Sequence, residues 1–123
     1  MIVGIGIDII EVSRIKEAIE NYGERFLKRV FTENEIRYCE EFKENKYVHY
    51  SARFSAKEAF SKAIGTGLKQ GFKLNHVGIV NNEYGKPEIE LLGELKDKWG
   101  DHKIFVSLSH INTLSTAIVI IEK

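Results

Sequence analysis

The spacing of apolar residues divides this chain into an opening strand, a helical first half and a strand-rich second half. Ile2, Val3, Ile5 and Ile7 are β-branched and interrupted by Gly4 and Gly6. That pattern predicts a buried strand whose glycines let another backbone or a ligand come close. Asp8 is expected at its exit. Ile15, Ala18, Ile19 and Tyr22 then recur at helical spacing, with Ser13 placed to cap the helix and Gly23 to stop it. Thr32 and Glu35 have capping-box spacing, so a second helix is expected after Phe31, with Ile36, Cys39 and Phe42 turned inward.

The strongest helical signal runs from about Ser51 to Ile64. Ala52, Ala56, Ala59, Phe60 and Ala63 share one face, and so many alanines predict close packing against a neighbour. Beyond it the period changes. Leu74 to Val80 and Ile89 to Leu92 read as strands around a turn at Asn81 to Pro87, followed by a short helix carrying Leu92, Leu95 and Trp99. Two more strands, Ile104 to Leu108 and Thr116 to Ile121, close the chain. Helices early and strands late favour an α+β fold, an antiparallel sheet packed with helices, in which the first strand joins the later ones.

Composition narrows the setting. A length of 123 residues suits a single domain, 1–123, with one core. Eighteen basic and eighteen acidic side chains cancel, so the overall field gives no reason to expect nucleic acid as a partner, and anion binding must be local. The lone Cys39 can form no internal disulfide, which fits a reducing cytoplasm. The apolar N-terminus lacks a basic leader and carries Asp8, which argues against a signal peptide or a membrane span.

Three groups of residues carry candidate chemistry. Glu58 and Lys62 are four apart on the predicted helix and flank its alanine face, which by itself describes a surface ion pair as well as a site. Asp8 is either a cap for the next turn or a ligand. Together, Asp8 and Glu58 could supply the one or two carboxylates that magnesium needs when it is also bound to phosphates, with Lys62 meeting a phosphate oxygen. The third group is Val106-Ser107-Leu108-Ser109-His110, a strand ending in hydroxyls and an imidazole. His49, His76 and His102 fall in no such pattern. Gly4-Ile5-Gly6 lacks the third glycine of a dinucleotide fingerprint.

Several segments, in order and spacing, resemble the holo-acyl-carrier-protein synthases, a family of 4'-phosphopantetheinyl transferases. They are Gly4-Ile5-Gly6-Ile7-Asp8-Ile9, Arg25-Phe26, Phe31-Thr32-Glu33-Asn34-Glu35, the run Arg53 to Ala63 with Gly65-Thr66-Gly67, Gly85-Lys86-Pro87, and Val106 to His110. The run around Glu58 is the most specific, and the resemblance extends nearly end to end. It implies a homotrimer with coenzyme A held in clefts between subunits. Asp8 and Glu58 match magnesium ligands, and Lys62 matches a phosphate-binding position. Arg53, Gly65, Gly85, Lys86, Pro87, Ser109 and His110 match positions lining the coenzyme A cleft, while Arg14 and Arg25 match contacts to an acyl carrier protein. Glu58, Lys62 and His110 carry the implied catalysis. Two residues depart from the pattern: Asn21, where another basic residue is common, and Ile111, where a small hydroxyl residue usually follows the histidine.

The implied reaction is direct attack of a carrier-protein serine on the pantetheine-side phosphorus of coenzyme A, releasing adenosine 3',5'-bisphosphate. Glu58, directly or through a water, is the candidate base. Two other readings use the same acids: a magnesium-dependent coenzyme A or nucleotide hydrolase, and a trimeric regulator that binds the nucleotide without reaction.

Overall fold

The computed structural model describes residues 1–65 and 72–123. Strand β1 (Ile2–Glu11) leads into helices α1 (Val12–Tyr22), α2 (Glu24–Val30) and α3 (Glu33–Glu40), and a single 3-10 turn separates these from the long helix α4 (Lys46–Ile64). Strands β2 (Val77–Asn81) and β3 (Pro87–Leu91), helix α5 (Gly93–Trp99), and strands β4 (Lys103–His110) and β5 (Leu114–Glu122) complete the chain. The strands form two antiparallel sheets, one ordered β1-β5-β4 and the other a β2-β3 hairpin. The α+β expectation holds, as does the pairing of the first strand with the last ones.

Helix α4 joins the layers. It supplies Ala56, Ala59 and Phe60 to a cluster with Val77, Ile79, Val106, Ala117, Val119 and Ile121, and Tyr50 to a second cluster with Ile15, Ile19, Val30, Phe31 and Cys39. The expected core is thus two clusters sharing one helix. Its alanines let β1 lie directly against it. A Cβ added at Gly4 would strike the Ala63 carbonyl oxygen, and one at Gly6 the Ala59 carbonyl oxygen. The neighbour that the glycines admit is backbone of α4, which sets the spacing of everything mounted on the two elements.

Several expectations shift. Asp8 is inside β1, opposite Ala117, because the strand continues to Glu11. Ser13 caps nothing: Glu11 occupies the cap position without a side-chain bond, and the first α1 amide, Val12 N–H, is taken by the Thr113 carbonyl at 2.9 Å. Tyr22, expected on the inner face, is exposed. Helix α4 starts five residues before Ser51, and Leu74–His76 is a 3-10 turn ahead of β2. The Thr32/Glu35 capping box forms as expected, with both reciprocal bonds present. Among the described residues, no helix is long and apolar enough to cross a membrane.

Glu35 does more than cap. Its Oε1 also accepts from Lys57 Nζ at 2.6 Å, and its Oε2 accepts from the Ile79 amide at 2.9 Å. Lys57 gives its other protons to the Leu74 and Val77 carbonyls. Both side chains are fully buried. Burial pushes the Lys57 ammonium below the ordinary lysine range, and the Glu35 carboxylate opposes that shift. This network ties α3, α4 and β2 together.

Candidate active site

Asp8, Glu58 and Lys62 meet where β1 crosses α4. Strand alternation points Gly4, Gly6 and Asp8 toward the helix and leaves Ile5, Ile7 and Ile9 on the opposite face. Since the glycines bring the helix close, the Asp8 carboxylate reaches its outer edge, where Glu58 and Lys62 lie one turn apart. Lys62 Nζ donates to Asp8 Oδ1 at 3.2 Å and to the Ile7 carbonyl at 3.0 Å. The lysine side chain is 55% exposed and that of Asp8 15%, so the pair opens to solvent on one side.

Burial pushes the Glu58 carboxyl above the usual range, the Asp8 charge adds to the shift, and Lys62 opposes it. Two carboxylates that repel each other, half-shielded from water and mounted on rigid elements, form a donor set suited to a hard divalent cation. They are one or two ligands only. Among the described residues no group of three or more acidic, histidine or cysteine side chains could hold a metal by itself. The arrangement fits magnesium that takes its remaining ligands from phosphate and water.

The other expected site residues assemble elsewhere. Arg53 is buried, its guanidinium 4.1 Å from the centre of the Tyr38 ring, and Nη2 donates to Asn81 Oδ1 at 2.7 Å. Asn81 in turn donates to the Gly85 carbonyl at 3.0 Å. Asn82 Oδ1 accepts from the Tyr84 and Lys86 amides, so the Gly85-Lys86-Pro87 turn is held by two asparagine side chains and joined to Arg53 through one of them. His110 ends β4 and lies edge-on to His49, ring centres 5.9 Å apart, while His49 stacks on Phe42 at 3.6 Å. Burial holds His49 below the ordinary histidine range, with Arg53 and His110 adding to the effect.

The sheet register keeps these groups apart. Asp8 lies across from Ala117 and Leu108, whereas His110 lies across from Ser115 and Ile10, so β5 separates the two strands and the residues are also offset along them. No hydrogen bond or ion pair links the two groups among the described residues. Ser109 is opposite Thr116 and Ile9 and shares their face of the sheet, away from α4. Gly65 ends α4 in the left-handed conformation, φ 81°, while Thr66 and Gly67 lie outside the described residues. Arg14 and Arg25 are exposed on α1 and α2, and Arg25 borders a groove with Tyr22, Phe26 and Arg29.

Residues 4–118 match the family described as the 4'-phosphopantetheinyl transferase superfamily. The chain belongs to that superfamily. It is 48% identical over 121 residues to the holo-[acyl-carrier-protein] synthase of Ruminiclostridium cellulolyticum, covering 96% of this chain and 90% of the relative. Identity to the enzyme of the same name from Geotalea daltonii is 44%, with both chains fully covered. The crystal structure of the Bacillus anthracis holo-(acyl-carrier-protein) synthase in complex with CoA (3',5'-ADP) superposes with a TM-score of 0.84 at 35% identity, covering 100% of this chain and 98% of that one. The superfamily membership agrees with the resemblance carried by the Arg53 to Ala63 run.

Within this superfamily fold, four residues near the site went unread in the sequence. In the sequence Asn81 reads as turn chemistry and His49 falls in no pattern; the fold sets them beside Arg53 and His110. Ser55 and Thr116 both donate to the Asp8 carbonyl, at 3.1 and 2.7 Å. Nothing in local spacing marks a contact between a helix residue and a strand so distant in the chain.

Proposed function

We infer that this chain transfers the 4'-phosphopantetheinyl group of coenzyme A to a serine hydroxyl of an apo acyl carrier protein, releasing adenosine 3',5'-bisphosphate. This is the activity of a holo-acyl-carrier-protein synthase. The meeting of Asp8, Glu58 and Lys62 on the β1-α4 contact carries the reading, because phosphoryl transfer needs charge neutralisation and positioning more than covalent chemistry.

In this proposal Asp8 and Glu58 hold magnesium, which when bound supplies charge neutralisation for the pyrophosphate. Lys62, on the exposed side of Asp8, turns its ammonium toward a phosphate oxygen when substrate arrives. Glu58, directly or through a water, is the candidate acceptor of the serine proton. The serine oxygen bonds to phosphorus as the bond to the bisphosphate oxygen breaks. Arg53, the Gly85-Lys86-Pro87 turn, Ser109 and His110 belong to the wall that encloses coenzyme A. Gly65 lets the chain turn away at the end of α4, beside Lys62. Arg14 and Arg25 offer positive charge to an acidic carrier protein. The reading takes residues 1–123 as one domain working in the cytoplasm.

We further propose that the working form is a homotrimer, in which the Asp8 group of one subunit faces the His110 group of the next. Two observations support it. The two groups are separate within one chain, and the outer face of the three-stranded sheet exposes Ile5, Ile7, Ile9 and Phe105 at 61, 63, 65 and 50% of their surface. Isoleucines in such a row call for a cover. In a cyclic trimer that contact repeats three times and yields three equivalent sites.

One assay tests the function. The protein is incubated with coenzyme A and magnesium, with and without apo carrier protein, and the carrier is weighed by mass spectrometry. A mass gain of one phosphopantetheinyl group on the serine is expected. Bisphosphate release without a carrier would indicate a hydrolase, and binding without release a regulator. For the shared site, Asp8→Asn and His110→Ala proteins, each impaired, should regain activity when unfolded and refolded together. Proven mixed trimers without recovery would reject it.

A further inference from the structure

Building on the proposal that Asp8 holds the metal, we propose that Ser55 and Thr116 are positioning residues for its carboxylate, acting through the main chain of β1. The direction of a Cα–Cβ bond follows from the two peptide planes that flank it. Around Asp8 both planes are fixed by side chains. The preceding carbonyl, Ile7 O, accepts from Lys62 Nζ at 3.0 Å. The following carbonyl, Asp8 O, accepts from Ser55 Oγ at 3.1 Å and from Thr116 Oγ1 at 2.7 Å.

The two hydroxyls arrive from different sides. Ser55 is on α4, which packs against the glycine face of β1, whereas Thr116 pairs with Ile9 and shares the outward face of the sheet. Held from both faces, the peptide after Asp8 cannot rotate without losing a bond to one of them.

The other buried serines of α4 behave differently. Ser61 Oγ donates to the Glu58 carbonyl, the local bond a helical serine ordinarily makes, and Ser51 Oγ meets the Val48 carbonyl and, at 2.6 Å, the Ser115 hydroxyl of β5, neither of them reaching β1. Ser55, fully buried, leaves its own helix and spends its proton on the strand residue whose carboxylate faces Glu58 and Lys62. Partners that orient a metal ligand without touching the metal commonly govern its affinity.

Ser55→Ala and Thr116→Val each delete one hydroxyl with little change in shape, and Thr116→Ser restores it. Magnesium would be titrated calorimetrically into each protein bound to coenzyme A, with thermal unfolding and sedimentation run in parallel. We expect magnesium affinity to fall several-fold for each single variant and about tenfold for the pair, with Thr116→Ser at the wild-type value. The Michaelis constant for carrier protein should stay unchanged. Wild-type magnesium affinity in Ser55→Ala and Thr116→Val, whatever their thermal stability, would overturn the proposal. If the double variant fails to fold, the Thr116→Val and Thr116→Ser comparison decides alone. Asp8→Asn separates the two layers of inference. If it binds magnesium as wild type does, the metal reading and this proposal fall together; if it binds weakly while the hydroxyl variants do not, only this proposal falls.

Discussion

Of the lysine–carboxylate pairs that helix α4 carries, two are opposites. Lys57 meets Glu35 at 2.6 Å with both side chains fully buried, while Lys62 meets Asp8 at 3.2 Å with the lysine more than half exposed. Every proton of the Lys57 ammonium has an acceptor, and Glu35 is also engaged by two backbone amides. The buried ammonium has no proton left for a ligand. The Lys62 pair has a solvent side, and beside it is a second carboxylate, Glu58, which burial and the Asp8 charge push above the usual range against the opposing effect of Lys62. A saturated ion pair is architecture, and an under-satisfied one beside an opening is where a charged substrate can bind.

Breaking the buried pair should have the largest effect on folding. Lys57→Met leaves the Glu35 carboxylate buried without its cation and should cost about 3–5 kcal/mol of stability, read by urea unfolding. A loss under ~1 kcal/mol would mean that Glu35 is neutral or hydrated and that the two pairs are less different than their geometry indicates.

The matching change at the open pair should affect the chemistry instead. Lys62→Met is expected to cost about 0–1 kcal/mol of stability, as exposed pairs do. Carrier-protein modification should fall by about 10²–10³, the loss typical of removing one donor aimed at developing charge. Equal losses of stability and turnover would place Lys62 with Lys57 as a structural residue.

Gly6→Ala tests what brings the open pair together. The added methyl meets the Ala59 carbonyl, so β1 must move away from α4 at a cost of about 1–3 kcal/mol. Asp8 should then separate from Glu58 and Lys62, and activity should fall even with saturating magnesium. The Lys57 network, on other faces of α4, should keep its protected amides in hydrogen exchange.

The smallest effect concerns protonation. The Glu58 carboxyl lies above its ordinary value mainly through burial, then through Asp8. Asp8→Asn should therefore lower it and Lys62→Met raise it, as read by carbon-13 titration of the side chain. A carboxyl raised in the folded state favours folding below its unfolded pKa, and that contribution is lost as pH rises through the folded value. In Asp8→Asn this decline should shrink. An unmoved titration would show that Asp8 and Glu58 do not sense one another.

Much of this was legible in the sequence because it depends on short spacing. Thr32 and Glu35 announced the cap, Gly23 the end of α1, and the alanines of α4 a close neighbour. Glu58 and Lys62 had to be neighbours on any helix, and the run around them carried the family resemblance. What spacing could not convey was burial. Lys57 is one residue from Glu58, and nothing local distinguishes the lysine that is entombed from the one that is half exposed, Lys62.

The sequence by itself determined the α+β class, the order of its elements and the placing of Glu58 and Lys62 one turn apart on α4, since helical and strand periods act over a few residues. Tertiary structure alone decided which charges were paired and which left open, that Asp8 lies within a strand rather than at its end, and that the His110 group lies across the sheet from it. Those outcomes rest on strand register and on how closely a glycine strand can approach an alanine helix, contacts between residues far apart in the chain. No local pattern encodes such distances, because they exist only once the layers have packed.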